Sequence, residues 1–196
     1  MDKIYFEKEL QMIKNEEIRT CVIETLKHVK DEFYHAAASS TGKYHPEYAL
    51  GDGGLYRHTC AAVKIANDLL NLEWYKEKFT ELERDSIIAA LILHDSCKSG
   101  KEWDSQYTMH THPIQAGDLL EDTIRDTFND ENMSNYAMEI ARLMRSHMGQ
   151  WNEPGPWNKY NDRTVLPKPE TDAEFFVHLC DYLASRKFLE VKGLDD

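Results

Sequence analysis

Apolar residues along the chain recur mostly at three- and four-residue intervals, the spacing that places side chains on one face of a helix. In residues 6–33 the positions Leu10, Ile13, Val22, Ile23, Leu26, Val29 and Phe33 stand among charges and predict an amphipathic helical region. Small residues, Gly42 and Pro46 then predict a loop over 36–46, and Gly51-Asp52-Gly53-Gly54 a turn before the next helix. Leu55, Ala62, Ile65, Leu69 and Leu72 mark a helix over 55–72. Thr80 with Glu83 has the spacing of a capping box opening a helix over 82–94. Further helices are expected over 113–128, 132–148 and 171–191, and no alternating run predicts a strand. Between the last two lies a long surface loop over 150–169, whose Trp151 and Trp157 favour an ordered, packed segment. The expected fold is all-α: one compact helical bundle.

Composition supports that reading. With 196 residues, 41% hydrophobic and 30% charged, the chain suits a single globular core. No apolar run is long enough for a bilayer, and the N-terminus becomes charged before a signal-peptide core can develop, so a cytoplasmic protein without a membrane partner is expected. Cys21, Cys60, Cys97 and Cys180 form no Cys-x-x-Cys pair and are read as buried free thiols. The net charge of −12 argues against extensive nucleic-acid binding, because such affinity comes largely from cations neutralising phosphates. A small anionic substrate stays open, since a metal centre can reverse the field inside one pocket. Self-association is also open.

The candidate chemistry starts at His94-Asp95, which follows the apolar run over 87–93. A carboxylate and an imidazole at the edge of a buried helix need hydrogen bonds, neutralisation or a metal. Alone, the pair is better read as a histidine complementing a helix C-terminus and an aspartate starting a turn. His58, His112, His147 and Asp181 change that weighting, because each stands near a predicted helix end and one site can collect them all. Imidazole suits Mn, Fe, Ni, Co or Zn, and carboxylates can bridge two divalent ions.

His58 in Leu55-Tyr56-Arg57-His58-Thr59, the pair His94-Asp95, and Asp181 in His178-Leu179-Cys180-Asp181 occur in the order of the HD phosphohydrolase superfamily, which the chain resembles over about 36–187. His112-Pro113 with Ala116-Gly117, and Ser146-His147-Met148-Gly149, resemble the branch with additional histidines, although Met148 stands where that branch often has a second consecutive histidine. Residues 39–55 and 176–186 are similar to HD domains related to bacterial 3′-to-5′ exoribonucleases. The resemblance implies a 36–196 catalytic core of HD type, on which the helical region 1–35 packs as part of one structural domain.

It also implies a ligand set. His58, His94, Asp95 and Asp181 would hold one divalent ion, and Asp95 would bridge to a second held by His112 and His147, giving one or two transition metals per chain. Asp95 and Lys98 are the catalytic candidates, Lys98 resembling the family lysine that contacts phosphate. Lys43, His45 and His110 are candidates for substrate contact, against the alternatives of a solvated charge, a turn residue and a histidine pointing elsewhere. Trp151 and Trp157 are expected to anchor their loop rather than stack on a base, and Asp118, Glu121, Asp122, Asp126, Asp130 and Glu131 to form a solvated helix face.

The implied function is hydrolysis of a phosphate ester in a nucleotide-type substrate: a nucleotide, cyclic nucleotide or short oligonucleotide. The alternatives are a 3′-to-5′ exonuclease on single strands and a non-catalytic nucleotide-binding HD module.

Overall fold

A computed structural model describes residues 5–39, 42–103, 105–155 and 163–189, and the described residues are all-helical. The helices are α1 (Glu7–Leu10), α2 (Glu16–Leu26), α3 (Glu32–His35), α4 (Gly54–Leu70), α5 (Glu73–Lys78), α6 (Glu81–Leu93), α7 (His112–Thr127), α8 (Glu131–Arg145) and α9 (Asp172–Ala184). At the centre is α6, buried continuously from Asp85 to Leu93 and touched by α2, α4, α8 and α9. Its sequence is apolar on every side, the pattern of a helix enclosed by others. No helix among the described residues is long and apolar enough to cross a membrane.

Capping chemistry sets the boundaries that matter for the site. Thr80 Oγ1 accepts from the Glu83 amide at 3.2 Å while Glu83 returns a carboxylate oxygen to the Thr80 amide at 2.9 Å, so the expected capping box opens α6. Thr171 and Glu174 repeat the device on α9. Asp130 accepts the Met133 amide at 3.0 Å and starts α8. Pro113 occupies the first turn of α7, where a missing amide proton costs nothing.

The structure corrects several expected boundaries. Residues 6–33 do not form one continuous helical region but break into α1, α2 and α3. The first break is stabilised by a distant residue: the amides of Lys14 and Asn15 donate to the Asp85 carboxylate at 3.0 and 2.7 Å, and Asn15 then caps α2 through Ile18 at 2.9 Å. Helix α4 stops at Leu70 and the short α5 follows, a helix the apolar spacing did not signal because none of its residues is buried. Helix α9 ends at Ala184 rather than 191, since the chain turns there and the Lys187 amide donates to the Tyr44 carbonyl at 2.8 Å; residues 190–191 lie outside the described residues. Trp157 does as well, whereas Trp151 stacks on Tyr182, with ring centroids 5.8 Å apart.

Two local expectations also change. The acidic face of α7 is not simply solvated: Arg145 of α8 binds Asp118 at 2.7 Å and Glu121 at 2.7 and 2.8 Å, lying across Gly117, where a Cβ would collide with its guanidinium. Cys21, Cys97 and Cys180 are buried, but Cys60 is only partly so. Burial still pushes the Cys21 and Cys60 thiols up to about 12, which leaves them protonated and unreactive at neutral pH.

Because Asp85 satisfies two backbone amides from a buried position, Asp85→Ala should lower unfolding free energy by about 2–3 kcal/mol, read as a fall in urea midpoint at constant slope. Asp85→Asn, which keeps an acceptor oxygen, should lose less. An unchanged midpoint for Asp85→Ala would remove the anchor from the N-terminal region.

Candidate metal centre

Helix ends bring the candidate residues together. His58 lies in the second turn of α4, which begins at Gly54 because a Cβ there would run into the Ala49 carbonyl. His94 caps the C-terminus of α6 and Asp95 follows it; His112 opens α7, and His147 stands two residues past α8. Asp181 comes from α9, which packs against α4 and α6. All four of these histidines and Asp95 are buried, and only Asp181 keeps some exposure.

Three of the histidines are oriented in the same way. Nδ1 of His94, His112 and His147 each faces the backbone carbonyl three residues earlier, of Leu91, Met109 and Met144, at 2.7 Å in every case. A carbonyl only accepts, so one imidazole proton is committed to Nδ1, and Nε2 is the nitrogen left to offer a lone pair to a metal. Those Nε2 atoms converge. His112 Nε2 lies 3.3 Å from His147 Nε2 and 3.0 Å from Asp95 Oδ1, and His94 Nε2 lies 3.5 Å from both Asp95 Oδ2 and Asp181 Oδ1. His58 Nε2 completes the ring at 2.9 Å from Asp181 Oδ1 and 4.0 Å from Asp95 Oδ2.

Lone pairs and carboxylate oxygens facing one another in a buried cluster repel unless protons or cations stand between them. Lys98 supplies one cation, its ammonium 2.5 Å from Asp95 Oδ2. Burial alone would raise the Asp95 carboxyl, yet Lys98, His94 and His112 hold it well below the usual range; His58 and His94 do the same for Asp181 against burial. Both carboxylates are therefore ionised. Burial, reinforced by His94 and His112, lowers His147 to about 3 and keeps it neutral, the form that ligates metal.

The donor set fits divalent ions. Ligand atoms of His58, His94 and Asp95 lie within 4.8 Å of one another, as do those of His94, His147 and Asp181 and those of Asp95, His112 and His147. Among the described residues His94 Nε2 is buried without a hydrogen-bond partner, as a nitrogen available to coordinate a metal would be. The two oxygens of Asp95 face different histidines, His94 and His58 on one side and His112 and His147 on the other.

The substrate candidates are distributed around this cluster. His45 stands beside it, its ring centroid 5.6 Å from that of His58, and burial with the nearby Lys98 and His58 lowers it to about 4. Lys43 is exposed, with its ammonium 5.0 Å from the Tyr44 ring centroid. His110 is buried and turns Nε2 toward the Thr164 carbonyl at 3.0 Å, so that nitrogen serves the loop rather than the cluster. His178 was given no role by sequence reasoning, although its Nδ1 donates to the His147 carbonyl at 2.8 Å. Gly149 permits this contact, because a Cβ there would enter the His178 ring; the only sequence signal was the glycine two residues after a candidate ligand.

A family model described as HD domain matches residues 55–186, a span containing all six clustered residues. No curated protein and no solved structure matches the chain.

Metal content under saturating Mn²⁺ or Co²⁺ tests this arrangement. Wild-type protein should carry two ions per chain, His147→Ala one, and Asp95→Ala should lose both without unfolding, as elemental analysis and circular dichroism can read together. One ion at most in the saturated wild type would eliminate the paired arrangement, and two ions in Asp95→Ala would eliminate the shared carboxylate.

Proposed function

Because this chain belongs to the HD-domain family, a superfamily of metal-dependent phosphohydrolases, we propose that it hydrolyses a phosphate ester in a nucleotide, cyclic nucleotide or short oligonucleotide. The observation that carries this reading is Asp95, whose two oxygens face two separate groups of histidines. Divalent ions bound there supply Lewis acidity toward a phosphoryl oxygen and lower the pKa of water.

The chain's own residues divide the remaining work. Asp95 and Asp181, held ionised, give the cluster the negative charge that retains cations. Lys98, only 15% exposed along its side chain, places an ammonium at the edge of the cluster, where it can stabilise charge developing on the attacked phosphate. His45 is kept neutral and has a buried Nδ1 with no hydrogen-bond partner among the described residues, which suits it to contact a substrate oxygen or the leaving group.

Substrate size follows from electrostatics. An acidic chain without a basic stripe binds few phosphates at once, which favours small substrates over a long polymer. The likeness of residues 39–55 and 176–186 to exoribonuclease-like HD domains supports a nucleotide-type ligand, with the short oligonucleotide as its upper limit.

Lys98→Ala should keep wild-type metal content and lose turnover by a factor of about 10²–10³, the range for removing one preorganised electrostatic group. Loss of metal together with rate would make Lys98 structural. Across nucleotides, cyclic nucleotides and oligonucleotides of rising length, kcat/KM should be highest for the short members and respond weakly to salt. Rising efficiency with length and a steep salt slope would establish an exonuclease, and metal-replete protein that binds nucleotides without turnover would establish a binding module.

A further inference from the structure

Five residues after Asp181, Arg186 lies among three aromatic rings. Its guanidinium carbon is 4.2 Å from the Tyr182 ring centroid, 5.2 Å from that of Trp151 and 5.7 Å from that of Tyr44. Trp151 and Tyr182 are themselves nearly parallel, with an interplanar angle of 15°. Each ring is tied to the cluster. Tyr182 follows Asp181, Tyr44 precedes His45, and Trp151 packs on His178, whose Nδ1 holds the His147 carbonyl. The Lys187 amide bonds the Tyr44 carbonyl and closes this part of the rim.

What the rings do not satisfy is the guanidinium's hydrogen-bonding edge. Stacking uses the face of the planar cation, whereas its N–H fork lies in the plane and matches a phosphate or carboxylate. Arg142 and Arg145 both bind carboxylates, as an arginine readily can in a chain of net charge −12. Arg186 binds none among the described residues, and its Nε is buried without a hydrogen-bond partner. A purely structural staple accounts for the ring contacts but not for the unpaired donor, which is costly to bury. Tyr44, 53% exposed, leaves the arrangement open to solvent.

We propose that Arg186, presented by Tyr182, Trp151 and Tyr44, binds a second phosphate of the substrate, separate from the phosphate that meets the metals. This rests on the phosphohydrolase reading and deepens it: the substrate carries at least two anionic groups, as a nucleoside polyphosphate or a short phosphodiester does. A mononucleotide with one phosphate leaves the site unfilled. Charge-assisted bidentate bonds of this kind are worth on the order of tenfold or more in affinity.

The test is equilibrium binding to metal-loaded full-length chain, which needs no turnover. Calorimetric titration would use inorganic phosphate, methylenediphosphonate as a hydrolysis-resistant diphosphate, and a 5′-phosphorylated dinucleotide with a phosphorothioate linkage. At least one two-anion probe should bind about tenfold tighter than phosphate, and R186Q should erase that preference while keeping metal content and phosphate affinity. Preference for the diphosphonate points to a nucleoside polyphosphate, and preference for the dinucleotide to the next phosphodiester. No preference in wild type, or an undiminished one in R186Q, overturns the proposal. Should R186Q fail to fold or lose metal, R186K decides, since it keeps the charge but not the fork. A folded R186K with full preference, or one that also fails to fold, makes Arg186 structural. Metal-loaded wild type that binds no phosphate at all would instead sink the phosphohydrolase reading, and this proposal with it.

Discussion

The commitment of three imidazole protons to backbone carbonyls governs everything around the site. In His94, His112 and His147 the bond from Nδ1 to the carbonyl three residues back fixes both tautomer and ring direction. Each ring then has one free nitrogen, and the helix ends aim all three at the carboxylates of Asp95 and Asp181. The cluster left behind is rich in lone pairs and largely buried. Protons and the Lys98 ammonium satisfy it in part, and divalent ions would satisfy it fully, so metal uptake is expected to displace protons.

That arrangement places a demand on the core, because a ring held by its own helix end is only as well placed as the helix. Central α6 meets it by being buried from Asp85 to its end, with His94 and Asp95 emerging where its apolar run stops. Arg145 joins α8 to α7 through Asp118 and Glu121, and so fixes the relative position of the helices that deliver His147 and His112. Asp85, on the same central helix, gathers the amides that begin α2. Polar side chains on helix flanks thus hold the frame, and those at helix ends carry the chemistry. Gly54 and Gly149 mark where backbone must approach too closely for a side chain: one beneath His58, the other against His178.

Much of this was legible in the sequence, and the limits are physical. The apolar period of 3.6 residues located the major helices, and the Thr80–Glu83 spacing marked the start of α6. The same period could not show the break between α1 and α2, which Asp85 holds from about seventy residues away. It also missed α5, which has no buried face to generate a period. At the site, the order of His58, His94-Asp95, His112, His147 and Asp181 marked six candidates that the structure draws into one cluster. Neither the proton-fixing carbonyls nor the bond from His178 could be read, since a backbone acceptor leaves no mark on residue identity. The pairing of Lys98 with Asp95 could not be read either, a contact its three-residue spacing allowed without specifying.

The contrast between the acidic whole and the cationic rim carries the argument to the substrate. A net charge of −12 repels a long polyanion over most of its length, and at physiological salt that repulsion is screened beyond roughly 8 Å. A substrate whose charges all lie within such a distance of the cluster therefore feels the local cations more than the distant acids. Lys98 beside Asp95, and Arg186 against Tyr182, are the cations this reading invokes. If Arg186 binds a second phosphate as proposed, phosphates near these cations would be attracted and a longer polyanion would meet the acidic surface. On the proposed reading, a buried cluster that needs positive charge and a surface that repels negative charge would together favour a short, multiply charged ligand.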